Sequence, residues 1–290
     1  MRSEYWTIAY RNRTNNETLL ENQDKPFRVI PNNWRYWAAD PHLITAGGTT
    51  WLFAELYDRL LRRGVIGCRP LTAQRNGKWK IVLKQPYHLS YPHLLRTEDS
   101  IFMIPESYVA DEIAVFHAEQ FPDQWKKIAV LHTGGEPVDS TVFTHGSQTW
   151  MLSLLENRRL MLYSLSDQGA AEICTINGND SNNRPAGNLF LRDGKLIRPA
   201  QDCTRSYGCA LNFYEVTSVG VNGYSEQLVK KITPDQINSD LGRCADGIHT
   251  YNMNDEYEVI DLKGYELDIL RYLTRPIWFV WRRVRKVFGK

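Results

Sequence analysis

Acidic and imidazole side chains recur at matching places in a series of short apolar segments, and residues of these types could carry acid–base chemistry. Each segment starts with a small or polar triplet, and a turn and a second apolar run follow it. Near the segment starts stand Asp40, His42, Tyr91, His93, Asp139, Thr141, Asn188 and His249, and near the ends of the second runs stand Glu55, Glu106, Gln201, Asp202 and Asp261. Carboxylates and imidazoles that meet in one concave site can move protons at a glycosidic centre.

Three carboxyl groups are the strongest catalytic candidates. Glu106 stands at the end of an apolar run, where a buried carboxyl group needs partners and tends to have a perturbed pKa. Asp139 occupies a similar place, and Asp40 precedes a proline. An aspartate before proline also forms turns by bonding its own backbone, so this alternative stays open for Asp40. Three further carboxyl groups could equally be charged rim residues: Glu55, Asp202 and Asp261.

Three histidines, His42, His93 and His249, raise the question of a metal site. They are widely separated in the chain and show none of the ligand spacing by which zinc sites are recognised. A divalent metal is therefore possible but not indicated, and no cofactor is expected. The histidines fit better as hydrogen-bonding groups for substrate hydroxyls or phosphate.

Basic residues cluster around the fourth segment: Arg184, Lys195, Arg198 and Arg205. Arginine side chains match phosphate oxygens in two-point contacts, so this cluster indicates a phosphorylated or nucleotide-linked ligand near Gln201 and Asp202. The alternative is a solvated surface whose cations pair with neighbouring aspartates.

The elements that must position these residues form a repeat of about 50 residues. Each repeat has room for four short strands separated by Gly, Asn, Asp and Pro turns, which is typical of propeller blades. The fifth repeat is incomplete, so we expect the N-terminal strand at 5–10 to complete it and close the ring. The sequence therefore predicts an all-β, five-bladed β-propeller over residues 1–263, with a β-sandwich as the alternative.

The end of the sequence differs sharply from the repeats. The net charge is only +2, yet residues 269–290 hold seven basic residues and no acid, interleaved with tryptophan and aliphatic side chains. This pattern predicts that residues 264–290 form an amphipathic helical tail on an anionic membrane surface. A helix packed on the propeller and a nucleic-acid arm are the alternatives, and the tryptophans suit a membrane interface better than a phosphate backbone.

Cysteine usage and the first residues bear on the compartment. Five cysteines lack a C-x-x-C pair, and Met1 is followed by polar residues with no apolar signal core. These features predict a cytoplasmic protein with reduced thiols. Because no apolar stretch approaches the roughly 18 residues that a spanning helix needs, membrane contact is expected to be peripheral, on the inner face of the cytoplasmic membrane.

Several motifs follow one another in a recognisable order: Ala39-Asp40-Pro41, His88-Leu89-Ser90-Tyr91-Pro92-His93, Met103-Ile104-Pro105-Glu106-Ser107, Val138-Asp139-Ser140-Thr141, Arg184-Pro185-Ala186-Gly187-Asn188, Arg198-Pro199-Ala200-Gln201-Asp202, Tyr207-Gly208 and Gly247-Ile248-His249-Thr250. Over about residues 34–253 this succession resembles the N-terminal domain of plant glucosamine inositolphosphorylceramide transferases and its bacterial relatives. That domain is similar to the five-bladed propellers of arabinanases, xylosidases and levansucrases. The resemblance implies a first-blade acid at Asp40, an acid/base at Glu106 and a supporting carboxylate at Asp139.

Together these observations predict a glycosyltransferase of cell-surface polysaccharide or glycolipid synthesis. Its donor would carry phosphate, as a sugar nucleotide or a phosphoribosyl diphosphate-like furanose, and its acceptor would be a lipid-linked glycan. The predicted substrate-binding residues are His42, Glu55, Tyr91, His93, Arg184, Asn188, Arg198, Gln201, Asp202, Arg205 and His249. In the plant enzymes this domain is joined to a separate glycosyltransferase domain. A furanosidase-like hydrolase or phosphorylase, or a non-catalytic sugar-binding module, are therefore the alternatives.

Overall fold

The computed structural model of the protein describes residues 2–13, 17–71, 77–155, 159–176, 183–241 and 245–267. Its strands form five antiparallel sheets of four strands each, arranged as the blades of a propeller. The predicted all-β, five-bladed architecture is confirmed. Nearly all of the predicted tail lies outside the described residues.

The strands are numbered in chain order. The first two, β1 (Arg2–Asn12) and β2 (Arg28–Val29), belong to blade 5. Blade 1 contains β3 (Tyr36–Ala46), β4 (Thr49–Asp58), β5 (Arg63–Pro70) and β6 (Lys80–Leu83). Blade 2 contains β7 (Ser90–Arg96), β8 (Ile101–Glu106), β9 (Glu112–Gln120) and β10 (Gln124–Thr133). Blade 3 contains β11 (Val138–His145), β12 (Gln148–Leu155), β13 (Arg159–Ser166) and β14 (Gly169–Ile176). Blade 4 contains β15 (Phe190–Arg192), β16 (Lys195–Asp202), β17 (Ala210–Gly220) and β18 (Gly223–Ile232), and blade 5 is completed by β19 (Tyr251–Met253) and β20 (Tyr257–Leu267).

Blade 5 is assembled from both ends of the described chain, in the strand order β19-β20-β1-β2. β1 and β20 pair along their whole length, from Arg2 opposite Leu267 to Asn12 opposite Tyr257. This pairing closes the ring. It also extends β20 to Leu267, so residues 264–267, which the sequence assigned to the tail, belong to a strand.

Apolar residues are buried between neighbouring blades, which explains why the strands read as apolar on both faces. One cluster, for example, packs Phe53 and Ile66 of blade 1 against Met103 and Phe116 of blade 2. Equivalent clusters fill the other interfaces between successive blades, including the one between blades 5 and 1. The polar groups at the axis are therefore held by a rigid ring of packed sheets.

The strand directions give the propeller a defined face. In blade 1, β3 runs away from Asp40 and β4 returns to Glu55, so the start of each first strand and the end of each second strand meet at one end of the axis. We call this end the mouth and the loops around it the mouth face. Among the described residues, no helix has the length and apolar character needed to cross a bilayer.

Candidate functional site

Three residues near the starts of first strands have a left-handed backbone, which is rare outside glycine. Asp40, Tyr91 and Asp139 have φ angles of 53°, 42° and 50°. Each lies where the register between the first and second strands of its blade shifts. In blade 4 the same place holds Gly187, where a Cβ atom would lie 1.9 Å from the carbonyl oxygen of Tyr251. Because such conformations cost on the order of 1–3 kcal/mol and cluster at functional sites, they mark the mouth as the candidate site.

Charged side chains from every blade converge at the mouth. We call this group the mouth layer: Asp40, Glu55, Glu106, Asp139, Arg184, His249 and Asp261. Its five carboxyl groups are all buried. Since burial and like charge both disfavour ionisation, this layer is where protons can be exchanged near neutral pH.

Asp40 is anchored on both carboxylate oxygens. Oδ2 accepts the backbone N–H of Tyr91 at 3.1 Å, and Oδ1 accepts the hydroxyl of Thr250 at 3.1 Å. Burial, aided by the charges of Asp139 and Asp261 and opposed by His249, raises the pKa of Asp40 to about 6. The carboxyl group is therefore mostly ionised at pH 7 but readily takes up a proton, which suits a general base.

His249 lies between two carboxyl groups and under an aromatic ring. Its Nδ1 is 2.7 Å from Asp261 Oδ2 and its Nε2 is 3.4 Å from Asp40 Oδ1. The indole of Trp6 stacks on the imidazole at 3.8 Å, and Tyr207 meets it edge-on at 5.3 Å. Burial alone would lower the pKa of His249, but the neighbouring carboxylates outweigh it and raise the pKa. The shift favours the protonated imidazole, whose positive charge opposes the negative charge of the mouth layer.

On the opposite side of the mouth layer, Arg184 joins two acids. Its Nε donates to Asp139 Oδ2 at 2.5 Å and its Nη2 to Glu106 Oε2 at 3.0 Å. Gln201 Nε2 adds a second hydrogen bond to Asp139 Oδ2, at 2.9 Å. Burial and the adjacent Asp139 raise the pKa of Glu106 well above its usual value despite the opposing charge of Arg184. Glu106 is thus the group best placed to act as a general acid.

Glu55 is the carboxyl group of the mouth layer whose negative charge would be least compensated by neighbouring groups. Burial, then the charges of Asp40 and Glu106, raise its pKa well above the usual value, and its Oε1 accepts no hydrogen bond among the described residues. His88 Nε2 lies 3.5 Å from this oxygen, while His88 Nδ1 accepts the N–H of Gly64 at 2.9 Å. The latter bond places the proton of neutral His88 on Nε2, facing Glu55. A Cβ atom at Gly64 would lie 2.5 Å from Glu55 Oε1, so only glycine leaves room for this side chain.

Below the mouth, a second ring of polar groups lines the axis. We call it the channel layer: His42, Tyr91, His93, Thr141 and Asn188. Tyr91 Oη meets Thr141 Oγ1 at 2.8 Å and accepts the N–H of Gly187 at 2.7 Å. His93 Nε2 accepts the N–H of Val142 at 3.0 Å, and Nδ1 lies 3.1 Å from Asn188 Oδ1. These bonds tie blades 2, 3 and 4 together and leave few polar atoms free for a ligand.

The channel histidines are neutral. Burial lowers the pKa of His93 to about 4, and burial with the neighbouring His93 lowers that of His42 to about 3. His42 Nδ1 lies 3.2 Å from the carbonyl oxygen of Asp40, and its buried Nε2 has no hydrogen-bond partner in the described part of the chain. Four of the predicted binding residues, His42, Tyr91, His93 and Asn188, are thus brought together, but as a scaffold beneath the carboxyl groups.

The predicted basic cluster does not assemble. Arg198 is fully buried and donates to both carboxylate oxygens of Glu226, at 2.7 and 2.6 Å. Arg205 is exposed and lines a separate open cavity of about 540 Å³. Asp202 pairs with Lys231. Of the three predicted donor-binding arginines, only Arg184 lies in the mouth layer.

Three side chains of the mouth layer lie close enough together to be considered as metal ligands. Ligand atoms of Asp40, His249 and Asp261 lie within 4.8 Å of one another. However, every oxygen of the two carboxyl groups already accepts a hydrogen bond: Asp40 as above, and Asp261 from the N–H groups of Asp40, His249 and Thr250. The protein's own donors and His249 therefore satisfy these carboxylates without a cation.

Several contributors to the site carried no sequence signal of their own. Trp6 comes from the closing strand, and the buried Lys263 donates to the carbonyl oxygen of Tyr207 at 2.7 Å and lies over the Trp6 ring. His88 precedes β7 and was singled out only as part of a motif. Aromatic rings also extend along the rim: Trp37 stacks on Tyr57 at 4.6 Å, and His88 lies between Tyr57 and Tyr108. Such rings can pack against the C–H faces of a sugar.

Comparison with known proteins identifies relatives of most of the propeller. Residues 30–254 match the family described as glucosamine inositolphosphorylceramide transferase 1, N-terminal. The chain is 29% identical over 214 residues to glucosamine inositolphosphorylceramide transferase 1 of Arabidopsis thaliana and 28% identical over 212 residues to that of Oryza sativa subsp. japonica. The matches cover 68% of this chain but only 27% and 28% of these relatives. The chain therefore corresponds to a little over a quarter of their length.

Solved structures share the fold at low sequence identity. The catalytic domain of an α-L-arabinofuranosidase from Coprinopsis cinerea matches with a TM-score of 0.60 at 13% identity, over 78% of this chain and 90% of that one. An exo-β-1,3-galactanase from Clostridium thermocellum gives 0.55 at 13% identity, over 79% and 58%. An α-L-arabinofuranosidase from Lactobacillus brevis gives 0.53 at 12% identity, over 76% and 81%. At these identities the likeness concerns the propeller fold alone.

Proposed function

The chain belongs to the family of glucosamine inositolphosphorylceramide transferase N-terminal domains, and from this premise we propose that it acts in glycosyl transfer to a glycolipid or lipid-linked glycan. The mouth would bind the reacting sugar and accept the proton released in the transfer. The observation that carries this proposal is the mouth layer. Buried carboxyl groups of blades 1 and 2 keep raised pKa values beside a half-buried, ion-paired arginine.

The proposed reaction gives each group a role. An acceptor hydroxyl attacks the anomeric carbon of a phosphate-bearing donor, the bond to the phosphate oxygen breaks, and the phosphate leaves with the electron pair. Asp40, with a pKa of about 6, takes the hydroxyl proton. Arg184 is the described side chain best placed to meet the leaving phosphate, although binding it requires Arg184 to share its contacts with Glu106 and Asp139. Asp139 and Gln201 position Arg184.

The proposed donor is the phosphate-bearing sugar that the sequence predicts. We propose a sugar nucleotide or a phosphoribosyl diphosphate-like furanose. Arg198 is ion-paired with Glu226, and Arg205 lines a separate cavity. The proposed phosphate contact is therefore made by Arg184 alone of the three arginines. The plant relatives are named for glucosamine and inositolphosphorylceramide. An inositol phosphate glycolipid is therefore the first acceptor to test.

One observation favours a second function, hydrolysis of a furanoside or related glycoside. A sugar leaving group needs a proton as the glycosidic bond breaks, whereas a phosphate leaving group does not. Glu106, whose pKa is raised by burial and by Asp139, could supply that proton. The structural neighbours, which share only the fold, include arabinofuranosidases.

One assay separates the two functions. The full chain is incubated with UDP-glucose, UDP-N-acetylglucosamine, UDP-glucuronate or phosphoribosyl diphosphate and vesicles containing an inositol phosphate glycolipid, and in parallel with 4-nitrophenyl α-L-arabinofuranoside and β-D-xyloside. Donor-dependent mass gain of the lipid, lost in Asp40→Asn, supports transfer. Nitrophenol release without any lipid gain would replace transfer by hydrolysis. Neither product from folded protein would overturn catalysis by this chain.

We also propose that residues 268–290, which follow β20, hold the protein on the inner face of the cytoplasmic membrane, close to its acceptor. Seven cations stand within residues 269–290, and each contributes on the order of 1 kcal/mol near an anionic surface. The combined change Arg282→Glu, Arg283→Glu and Arg285→Glu should abolish flotation with anionic vesicles. A control with the same charge change, Lys78→Glu, Lys126→Glu and Lys195→Glu, should float as the unchanged protein does. Equal behaviour of the two variants would contradict this role.

A further inference from the structure

Exposed apolar side chains gather on the mouth face of blades 1 and 2. Trp34 precedes β3, Leu60 and Leu61 lie in the turn after β4, and Tyr108 and Val109 lie in the turn after β8. We call these five residues the rim patch. Leu61 is 46% exposed and Val109 is 53% exposed. Large apolar side chains at neighbouring loop tips are unusual in a soluble protein and typically mark an interaction surface.

The loops of the rim patch are held next to one another. The N–H of Arg59 donates to the carbonyl oxygen of Arg35 at 2.9 Å, which joins the segment of Trp34 to the turn of Leu60 and Leu61. His88 lies 6.4 Å from the ring of Tyr57 and 6.0 Å from that of Tyr108, which links blade 1 to blade 2. The exposed apolar residues therefore belong to one side of the rim.

The two blade 1 loops of the rim patch are rich in arginine, whereas the blade 2 turn, residues 107–111, contains none. Residues 33–36 and 58–63 together contain four arginines, Arg35, Arg59, Arg62 and Arg63, and one acid, Asp58. Apolar side chains at the tip of a cationic loop match the interfacial region of an anionic bilayer, where the apolar groups enter the headgroup layer and the guanidinium groups meet phosphate. Arg35 pairs with Asp58 and Arg59 with Glu266, so these two acids leave an excess of two cations, which an apolar protein partner would not require.

The end of β20 lies beside this patch. Glu266 pairs with Arg59 of the blade 1 turn, and β20 ends at the next residue, Leu267. The basic, tryptophan-containing residues 268–290 follow directly in the chain. Two independent features, a cationic apolar rim and the start of the basic segment, thus meet on one side of the mouth face.

We propose that the mouth face itself docks on an anionic membrane through the rim patch, so that the carboxyl groups of the mouth layer open toward the lipid headgroups. The tail then attracts the protein to the anionic membrane, and the rim patch orients the propeller with its mouth toward the lipid. The purpose that we assign to this docking, which is to present the site to a lipid-linked acceptor, rests on the proposed function. The surface itself is defined by the loops.

The propeller offers matched controls at the other end of its axis. Leu191, near the end of β15, is 70% exposed and Val221, in the turn before β18, is 73% exposed. Both lie at the face opposite the mouth, since β16 runs from that face toward Asp202 and β17 returns to it. They are at least as exposed as Leu61 and Val109 and equally apolar.

The test uses the full chain and vesicles of phosphatidylcholine with phosphatidylglycerol. We expect Leu61→Glu and Val109→Glu each to weaken binding by about tenfold, because a carboxylate at the loop tip opposes both insertion and the anionic surface. Leu191→Glu and Val221→Glu should bind as the unchanged protein does. Equal weakening in both pairs, or no weakening in the mouth-face pair, would overturn the proposal.

A second readout separates this proposal from the proposed function. Vesicle binding is measured without any sugar, so it is independent of the reaction. Turnover of any water-soluble substrate should be unchanged in Leu61→Glu, which lies outside the mouth layer, while turnover of a vesicle-bound acceptor should fall with binding. A loss of vesicle-bound turnover with full vesicle binding would also contradict membrane orientation by the rim.

Discussion

The mouth layer and the channel layer are two buried polar rings on the same axis, yet their electrostatics differ. In the channel layer, histidine, tyrosine, threonine and asparagine bond to one another and to backbone groups, and the pKa values of His42 and His93 are lowered to about 3 and about 4. In the mouth layer, five carboxyl groups face one arginine and one histidine, and the pKa values of Asp40, Glu55 and Glu106 are raised. Burial of polar groups thus serves structure in the channel layer, where the histidines are neutral and most polar atoms are hydrogen-bonded. In the mouth layer, where part of the negative charge is uncompensated, burial shifts pKa values and so favours proton transfer.

The largest difference between the layers should appear in turnover. Asp40→Asn removes the proposed base while its amide oxygen can still accept one of the two hydrogen bonds, so we expect turnover to fall at least about a hundredfold with little change in melting temperature. Asp193→Asn is a matched control, since Asp193 also has a left-handed backbone, with φ of 50°, but is 86% exposed. Unchanged turnover in Asp40→Asn would place the chemistry elsewhere.

A channel substitution should act on stability instead. His93→Ala leaves the buried N–H of Val142 and the side chain of Asn188 without their partner. We expect the free energy of unfolding in denaturant to fall by about 2–4 kcal/mol. His145→Ala, on the surface, should change it by less than about 0.5 kcal/mol. If His93→Ala folded with full stability and lost ligand binding, the channel layer would be part of the site and the comparison would fail.

The smallest effect is on the melting temperature of a Glu55 variant, and here the substitution should stabilise the protein. Its folded pKa lies above its ordinary value of 4.5, so stability is undiminished at low pH and is lost as pH rises, because the unfolded chain ionises this group first. Glu55→Gln should therefore raise the melting temperature at pH 7.5, by about 2–4 °C, and the gain should shrink toward pH 4. Glu119→Gln on the surface should show neither effect. A lower melting temperature for Glu55→Gln at pH 7.5 would mean that its charge is well compensated.

The fold could be predicted from the sequence because a small or polar triplet recurs at the start of each first strand and is followed each time by apolar runs. The repeat also indicated the mouth acids, since Asp40 and Asp139 lie near the starts of first strands and Glu55 and Glu106 near the ends of second strands. It could not separate Arg184 from Arg198, which look alike in sequence. Arg198 and Gln201 are three residues apart on β16, and strand alternation turns them to opposite faces.

Other features depend on contacts between distant segments. Trp6 reaches His249 only because β1 closes the ring beside β20. His88 faces Glu55 only because Gly64, in the next strand of blade 1, leaves the space and donates its N–H. Neither relation has a local pattern, so the aromatic and histidine neighbours of the carboxyl groups required the structure.

The central claim is that carboxyl groups at the mouth exchange protons near neutral pH, and a carbon-13 NMR titration of the side-chain carboxyl resonances tests it directly. Comparison of the unchanged protein with Asp40→Asn assigns the resonance of Asp40. We expect a midpoint near pH 6 for this resonance, because burial raises the pKa of the Asp40 carboxyl group to about 6. A midpoint near pH 4, the ordinary value for aspartate, would contradict it.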